Sequence, residues 1–259
     1  MRHMRFAAGT KARRQVSAVA SVLAATAAFI FASSDAHAVM RGSSAGGISR
    51  HVVKLVGHNL LCTAVVIGRQ QLLTANHCVE GTGPFFVMAG GKRIAVAGHS
   101  PAGQTTQLTL ASPLPAQFIP IATGSAVGEG TYTIAGYGTA QESARMHSAG
   151  LKQAQLVNDS RYNALVDPRR RGPISASACM GDSGGPVAKY DGRRYVLVGI
   201  VERVSNYAGI GACGFLTHFS SVSGVTNVAS APEGTTRQVS EPRTQRITAK
   251  KRHRQWAAR

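Results

Sequence analysis

No aspartate stands between Asp35 and Asp159 in this chain of 259 residues, and acids of both kinds number 11 against 29 lysines and arginines. The net charge of +18 excludes an acidic protein and turns attention to anionic partners. Tryptophan occurs once, at Trp256, too close to the basic end of the chain to report on a core. No long stretch carries a 3.6-residue apolar period, which argues against a helical bundle, and there is no internal repeat. Outside residues 16–32 no apolar run is long enough to cross a bilayer. Glycine-rich phosphate loops and nucleotide motifs are absent. His51, His58, His99, His147 and His218 have no metal-ligand spacing, so neither a metal nor a cofactor is expected.

What is present begins with an export pattern. Basic residues ending in Lys11-Ala12-Arg13-Arg14 precede the alanine-rich apolar run. Ser33-Ser34-Asp35 and a small-x-small site, Ala36-His37-Ala38, follow it. Residues 1–38 therefore read as a signal peptide, and the mature chain is expected to be secreted or periplasmic with no membrane span. Four cysteines fit an oxidising compartment and by themselves allow three pairings.

Residues 39–231 read as the folded part, and 44% hydrophobic content suits a substantial core. Short β-branched runs at 52–56, 63–67, 71–75, 85–88, 93–97 and 105–110 read as one group of strands. Runs at 131–137, 152–157, 186–189, 195–204 and 215–218 read as a second group. Residues 114–130 read as the link between them, and 219–228 as a short closing helix. The fold class is all-β. Residues 232–259 are polar and basic and read as a disordered tail. That tail is either simply solvated or drawn to an anionic envelope surface. Arg169-Arg170-Arg171 reads as an exposed loop, a processing site or plain surface charge.

Two motifs carry chemistry. A hydroxyl is a weak nucleophile at neutral pH and needs a base within hydrogen-bond reach, plus donors for the oxyanion it creates. Gly181-Asp182-Ser183-Gly184-Gly185-Pro186 offers the hydroxyl of Ser183. It also offers the N–H groups of Gly181 and Ser183 as donors in a turn that glycine permits. Leu73-Thr74-Ala75-Asn76-His77-Cys78 offers His77 as the base. Together the motifs closely resemble the chymotrypsin/trypsin family of serine endopeptidases, from about Val39 to Val228. Gly136-Tyr137-Gly138 and Leu197-Val198-Gly199-Ile200-Val201 resemble that family's secondary landmarks. The resemblance implies two six-stranded antiparallel β-barrels with a short C-terminal helix and the site in the cleft between them. It also implies disulfides Cys62–Cys78 and Cys179–Cys213, and protein or peptide substrates met by a monomer.

The chain departs from the family at the orienting acid. Gln104 falls where the family keeps its catalytic aspartate. Glu202 falls where the family has a serine beside that aspartate. Glu202 is therefore a candidate relocated third member, with catalytic residues His77, Ser183 and Glu202; a surface role or another basic partner is the alternative. Ser177, six residues before Ser183, replaces the aspartate of trypsin-like pockets, so nothing there favours Arg or Lys substrates. Val204 narrows the pocket wall, and Arg203 stands where a tryptophan is usual.

Asp182 implies an activation pair: in the family its counterpart binds a newly made N-terminal ammonium. Val39 follows the signal cleavage site directly, so signal cleavage itself is expected to create that amine. The reading is a secreted serine endopeptidase working through an acyl-enzyme. Its rivals are a pseudoprotease kept as a binding module and an envelope-bound adhesin.

Overall fold

The structure, a computed structural model, describes residues 39–124, 128–139, 150–170, 175–206, 213–223 and 225. The signal-peptide reading of residues 1–38, the tail 232–259, His147, Arg171 and Trp256 lie outside the described residues.

The first strands are β1 (Ser43–Ser44), β2 (Val52–Gly57), β3 (Leu60–Val66), β4 (Gln71–Ala75), β5 (Phe86–Ala89), β6 (Lys92–Ala102) and β7 (Thr105–Leu110). There follow β8 (Ala122–Thr123), β9 (Thr131–Gly136), β10 (Lys152–Asp159), β11 (Ala164–Val166), β12 (Pro186–Tyr190), β13 (Tyr195–Ser205) and β14 (Leu216–Ser221). Strands β2 to β7 close an antiparallel barrel in the order β2-β3-β4-β7-β6-β5. Strands β9 to β14 close a second one, running β10-β11-β14-β13-β12-β9 and back to β10. The all-β expectation of two six-stranded antiparallel barrels holds.

The sequence accounts for these strands. Val52, Val53 and Leu55 of β2, Leu72 and Leu73 of β4, and Leu108 and Leu110 of β7 are buried at the first core. Tyr132 and Ile134 of β9, Leu156 of β10 and Val198 of β13 fill the second. Residues 61–66 of β3 are buried on both faces. One face lines the barrel; on the other, Thr63 meets the second barrel at Gly181. That explains an unbroken apolar run where alternation would be expected of a half-exposed strand.

Two expectations change. Residues 219–221 finish β14 instead of opening a helix; Phe219 pairs with Val201 and Ser221 with Gly199. Gly224 and residues 226–228 lie outside the described residues. The second barrel also contains β11, which no run in the sequence announces. Its three residues, all buried, are too few to show a period, yet they join β10 to β14 and close the ring. The link 114–130 contributes β8, which runs parallel beside Val196 and Leu197 of β13.

Candidate active site

β4 ends in a 3-10 turn, Asn76–Val79, that carries His77. Ser183 sits in the loop before β12, and Glu202 lies on β13. β13 is irregular there: Val201 faces Phe219 and Arg203 faces His218, so Glu202 is the extra residue of a bulge. Bulges re-aim side chains, and this one turns Glu202 toward His77. Its Oε2 lies 3.8 Å from His77 Nδ1. Its backbone carbonyl accepts the Ser183 hydroxyl at 3.3 Å. With Leu60, Leu61, Met180, Gly181 and Val204, these three residues line a cleft of about 400 Å³.

Burial pushes the Glu202 carboxyl above the usual carboxylate range, and a hydrogen bond from the Ser220 hydroxyl partly offsets this. Its Oε1 is buried without a hydrogen-bond partner among the described residues. A carboxylate left unsatisfied in this way gains from a cation beside it, and the imidazole of His77 becomes one when it takes a proton.

Gln104 is exposed in the turn between β6 and β7. The last pair of β4 and β7 is Ala75 with Thr105, so Gln104 lies one residue beyond the ladder. In this neighbourhood Thr106 Oγ1 donates to Asn76 Oδ1 at 2.8 Å, fastening the histidine turn to β7.

Thr63 is a joint that the sequence gave no sign of. Its N–H donates to Ser183 O at 2.9 Å and its hydroxyl to Gly181 O at 2.9 Å. The same hydroxyl accepts the Tyr137 N–H at 3.0 Å, and Thr63 O accepts the Thr74 hydroxyl at 2.9 Å. The serine loop of the second barrel is thus bonded to β3 of the first. Disulfides Cys62–Cys78 and Cys179–Cys213 brace both sides of the cleft, as the resemblance implied. Cys62, His77 and Cys78 bring potential metal-ligand atoms together, but both sulfurs are spent on the disulfide.

Gly181 has φ +94°, a conformation that suits glycine. The N–H groups of Gly181 and Ser183 have no acceptor among the described residues, so both are available to a ligand oxygen. Asp182 is 1% exposed. Its carboxylate accepts N–H groups from Gly138 and Cys179 at 2.8 Å each, and one from Val39. A Cβ on Gly136 or Gly138 would run into that carboxylate, which explains the Gly-x-Gly turn. Burial outweighs these bonds and raises the Asp182 pKa to about 7.

Val204 and Arg203 line the cleft, whereas Ser177 does not. Ser177 is fully buried; its hydroxyl donates to Ala178 O and accepts the Gly214 N–H, both at 2.8 Å. His51 donates to or accepts from no cleft residue: its Nδ1 bonds Ile119 O at 2.8 Å.

The family model for trypsin matches residues 39–226. This chain belongs to the trypsin family. A trypsin-like protease of Streptomyces glaucescens is 30% identical over 189 residues, covering 61% of this chain and 70% of that protein. Neuropsin, a serine protease expressed in the limbic system of mouse brain, shares the fold at TM-score 0.53 and 18% identity. That match covers 71% of this chain and 94% of neuropsin. Trypsin-family membership carries serine peptidase chemistry on protein substrates as the general function. Among the described residues no helix is long and apolar enough to cross a membrane.

Proposed function

We propose that this trypsin-family chain is an exported serine endopeptidase in which Glu202 takes the place of the orienting aspartate. The observation that carries the reading is the 3.8 Å approach of Glu202 Oε2 to His77 Nδ1 at a bulge of β13. His77 takes the Ser183 proton as that oxygen attacks the scissile carbonyl, then gives it to the leaving amine. Glu202 holds the ring so that its other nitrogen faces the serine, and stabilises the imidazolium. The N–H groups of Gly181 and Ser183 hold the oxyanion. In the free enzyme the Ser183 hydroxyl rests on Glu202 O; substrate entry turns it to His77, a tightening common in this chemistry. Leu60, Leu61, Met180 and Val204 give the cleft an apolar lining that suits small or medium apolar side chains.

Export supplies the last part. Val39 is fully buried and is held at φ +56°, a conformation that strains a β-branched residue. Cleavage before Val39 would remove the preceding carbonyl and with it that strain. It would also turn an amide N–H into an ammonium beside Asp182. A mature chain starting at Val39 thus loses two local costs at once.

A fluorophosphonate probe and a peptide library test the proposal. Labelling at Ser183 with turnover that falls in Glu202→Gln is the expected result. Labelling and turnover both absent from a chain starting at Val39 would leave a binding module instead.

A further inference from the structure

A second cavity, about 500 Å³, lies on another face of the molecule. The 3-10 turn Gly47–His51, the link at 119–122 and the β12–β13 hairpin meet there, so both barrels contribute. Arg50, Arg193 and Arg194 line it together with His51, Tyr190 and Tyr195. Asp191 is the acid beside the hairpin arginines: its carboxylate lies 3.7 Å from Arg194 and is also drawn by the charge of Arg193. Arg50 has no acidic partner among the described residues, so three guanidinium groups share the one carboxylate of Asp191. Tyr190 is 58% exposed, and its ring lies 5.2 Å from that of Tyr195 in a tilted pair. His51 is committed to Ile119 O, and burial with Arg50 beside it holds the ring below its usual pKa. It therefore adds little positive charge of its own near neutral pH.

We infer that this cavity is a docking site for an acidic peptide segment of a protein partner or substrate. Guanidinium groups in excess of the acid beside them take carboxylates as charge-assisted, often paired hydrogen bonds. Arginine clusters are a recurring means of reading acidic motifs. Two partly exposed tyrosines beside them supply the apolar contact that fixes a peptide side chain, and tyrosine and arginine are the residues that dominate peptide and protein interfaces. From Val39 onward the chain carries 24 lysines and arginines against 10 acids, an excess that steers such a segment inward. The cavity is also joined to the catalytic cleft. β13 starts at Tyr195 on the cavity rim and reaches Glu202 seven positions on, about 23 Å along an extended strand. An occupant would be held well clear of the scissile bond, as a remote anchor for a long substrate.

Fluorescence anisotropy tests this on the full chain carrying Ser183→Ala, so that hydrolysis plays no part. The probe is a short labelled peptide of glutamate, aspartate and phenylalanine. Saturable binding is expected, weakened about tenfold by Arg50→Glu and by Arg193→Glu. Arg203→Glu, a change at the catalytic cleft, should leave it unaltered. Circular dichroism confirms that each variant is folded, and Arg193→Lys, which keeps the charge but loses the paired geometry, should bind more weakly than the parent chain and more tightly than Arg193→Glu. No saturable binding near physiological salt would overturn the inference. So would binding unaffected by either substitution, or binding lost on deleting residues 232–259. A sulfated polysaccharide that displaces the peptide and binds more tightly through the same arginines would overturn the peptide assignment.

Discussion

Glutamine at position 202 keeps the shape of the side chain and removes its charge. At the observed 3.8 Å, a carboxylate and an imidazolium attract by about 4 kcal/mol at an effective dielectric of 20 and about 1 kcal/mol in bulk water. His77 is 43% exposed and Glu202 21%, so screening places the effect in the lower half of that range. A loss of about 2 kcal/mol corresponds to roughly 30-fold in kcat. That is far below the ~10⁴ lost when the buried aspartate of better-known family members is neutralised. The difference follows from exposure and from a separation longer than a hydrogen bond. Steady-state hydrolysis of a peptide substrate at pH 8 reads it, with kcat falling and KM nearly constant. The pH profile gives a second reading. Burial raises the Glu202 carboxyl above its ordinary range, so its charge is gained as pH climbs past the region where a free glutamate has already ionised. Wild-type kcat should contain that rise, and Glu202→Gln should lack it. If Glu202→Gln stays within about threefold of wild type while Ser183→Ala abolishes turnover, the electrostatic account of Glu202 is wrong.

Asp182 makes the stability of the uncleaved chain depend on pH. Its folded pKa of about 7 lies above the unfolded value near 3.9. The folded chain therefore holds a proton that the unfolded chain releases, and stability falls as pH rises from about 4 to 7, by on the order of 4 kcal/mol. A chain starting at Val39 should lose much less over that window; thermal melts of both forms, each with Ser183→Ala, check this. Adding Gln104→Asp to Glu202→Gln should not restore kcat, because position 104 is exposed in a turn; recovery above about tenfold would show that the turn reaches His77. Gly184 has φ +83°, and a Cβ there would strike Thr63 O and the Thr74 hydroxyl. Gly184→Ala should cost about 4 kcal/mol or more, read as a lowered urea midpoint, and an unshifted midpoint would mean that the joint between the barrels is looser than described.

Much of this protein was legible in its residues. Strands β4 and β7 begin and end where the β-branched runs do, and the serine and histidine motifs identify their own loops. Composition and patterning decide such features because a buried strand needs apolar residues and a tight loop needs glycine, wherever they fall in the fold. β11 is not legible in the sequence because three residues carry no period, and the end of β14 resembles a helix because Phe219, Val222 and Val225 fall at helical spacing.

The residue sequence alone yielded the all-β barrel class and the family resemblance, and it marked Ser183, His77 and Gln104 as the positions on which the proposed chemistry turns. Tertiary structure decided which groups meet. The extra residue in the β13–β14 ladder turns Glu202 to His77, and Thr63 ties the serine loop to the other barrel. The same closure leaves Arg50 and Arg193, far apart in the chain, facing one cavity. A one-residue slip in register changes which side chain faces a neighbour without changing composition, so only the folded chain can specify those encounters.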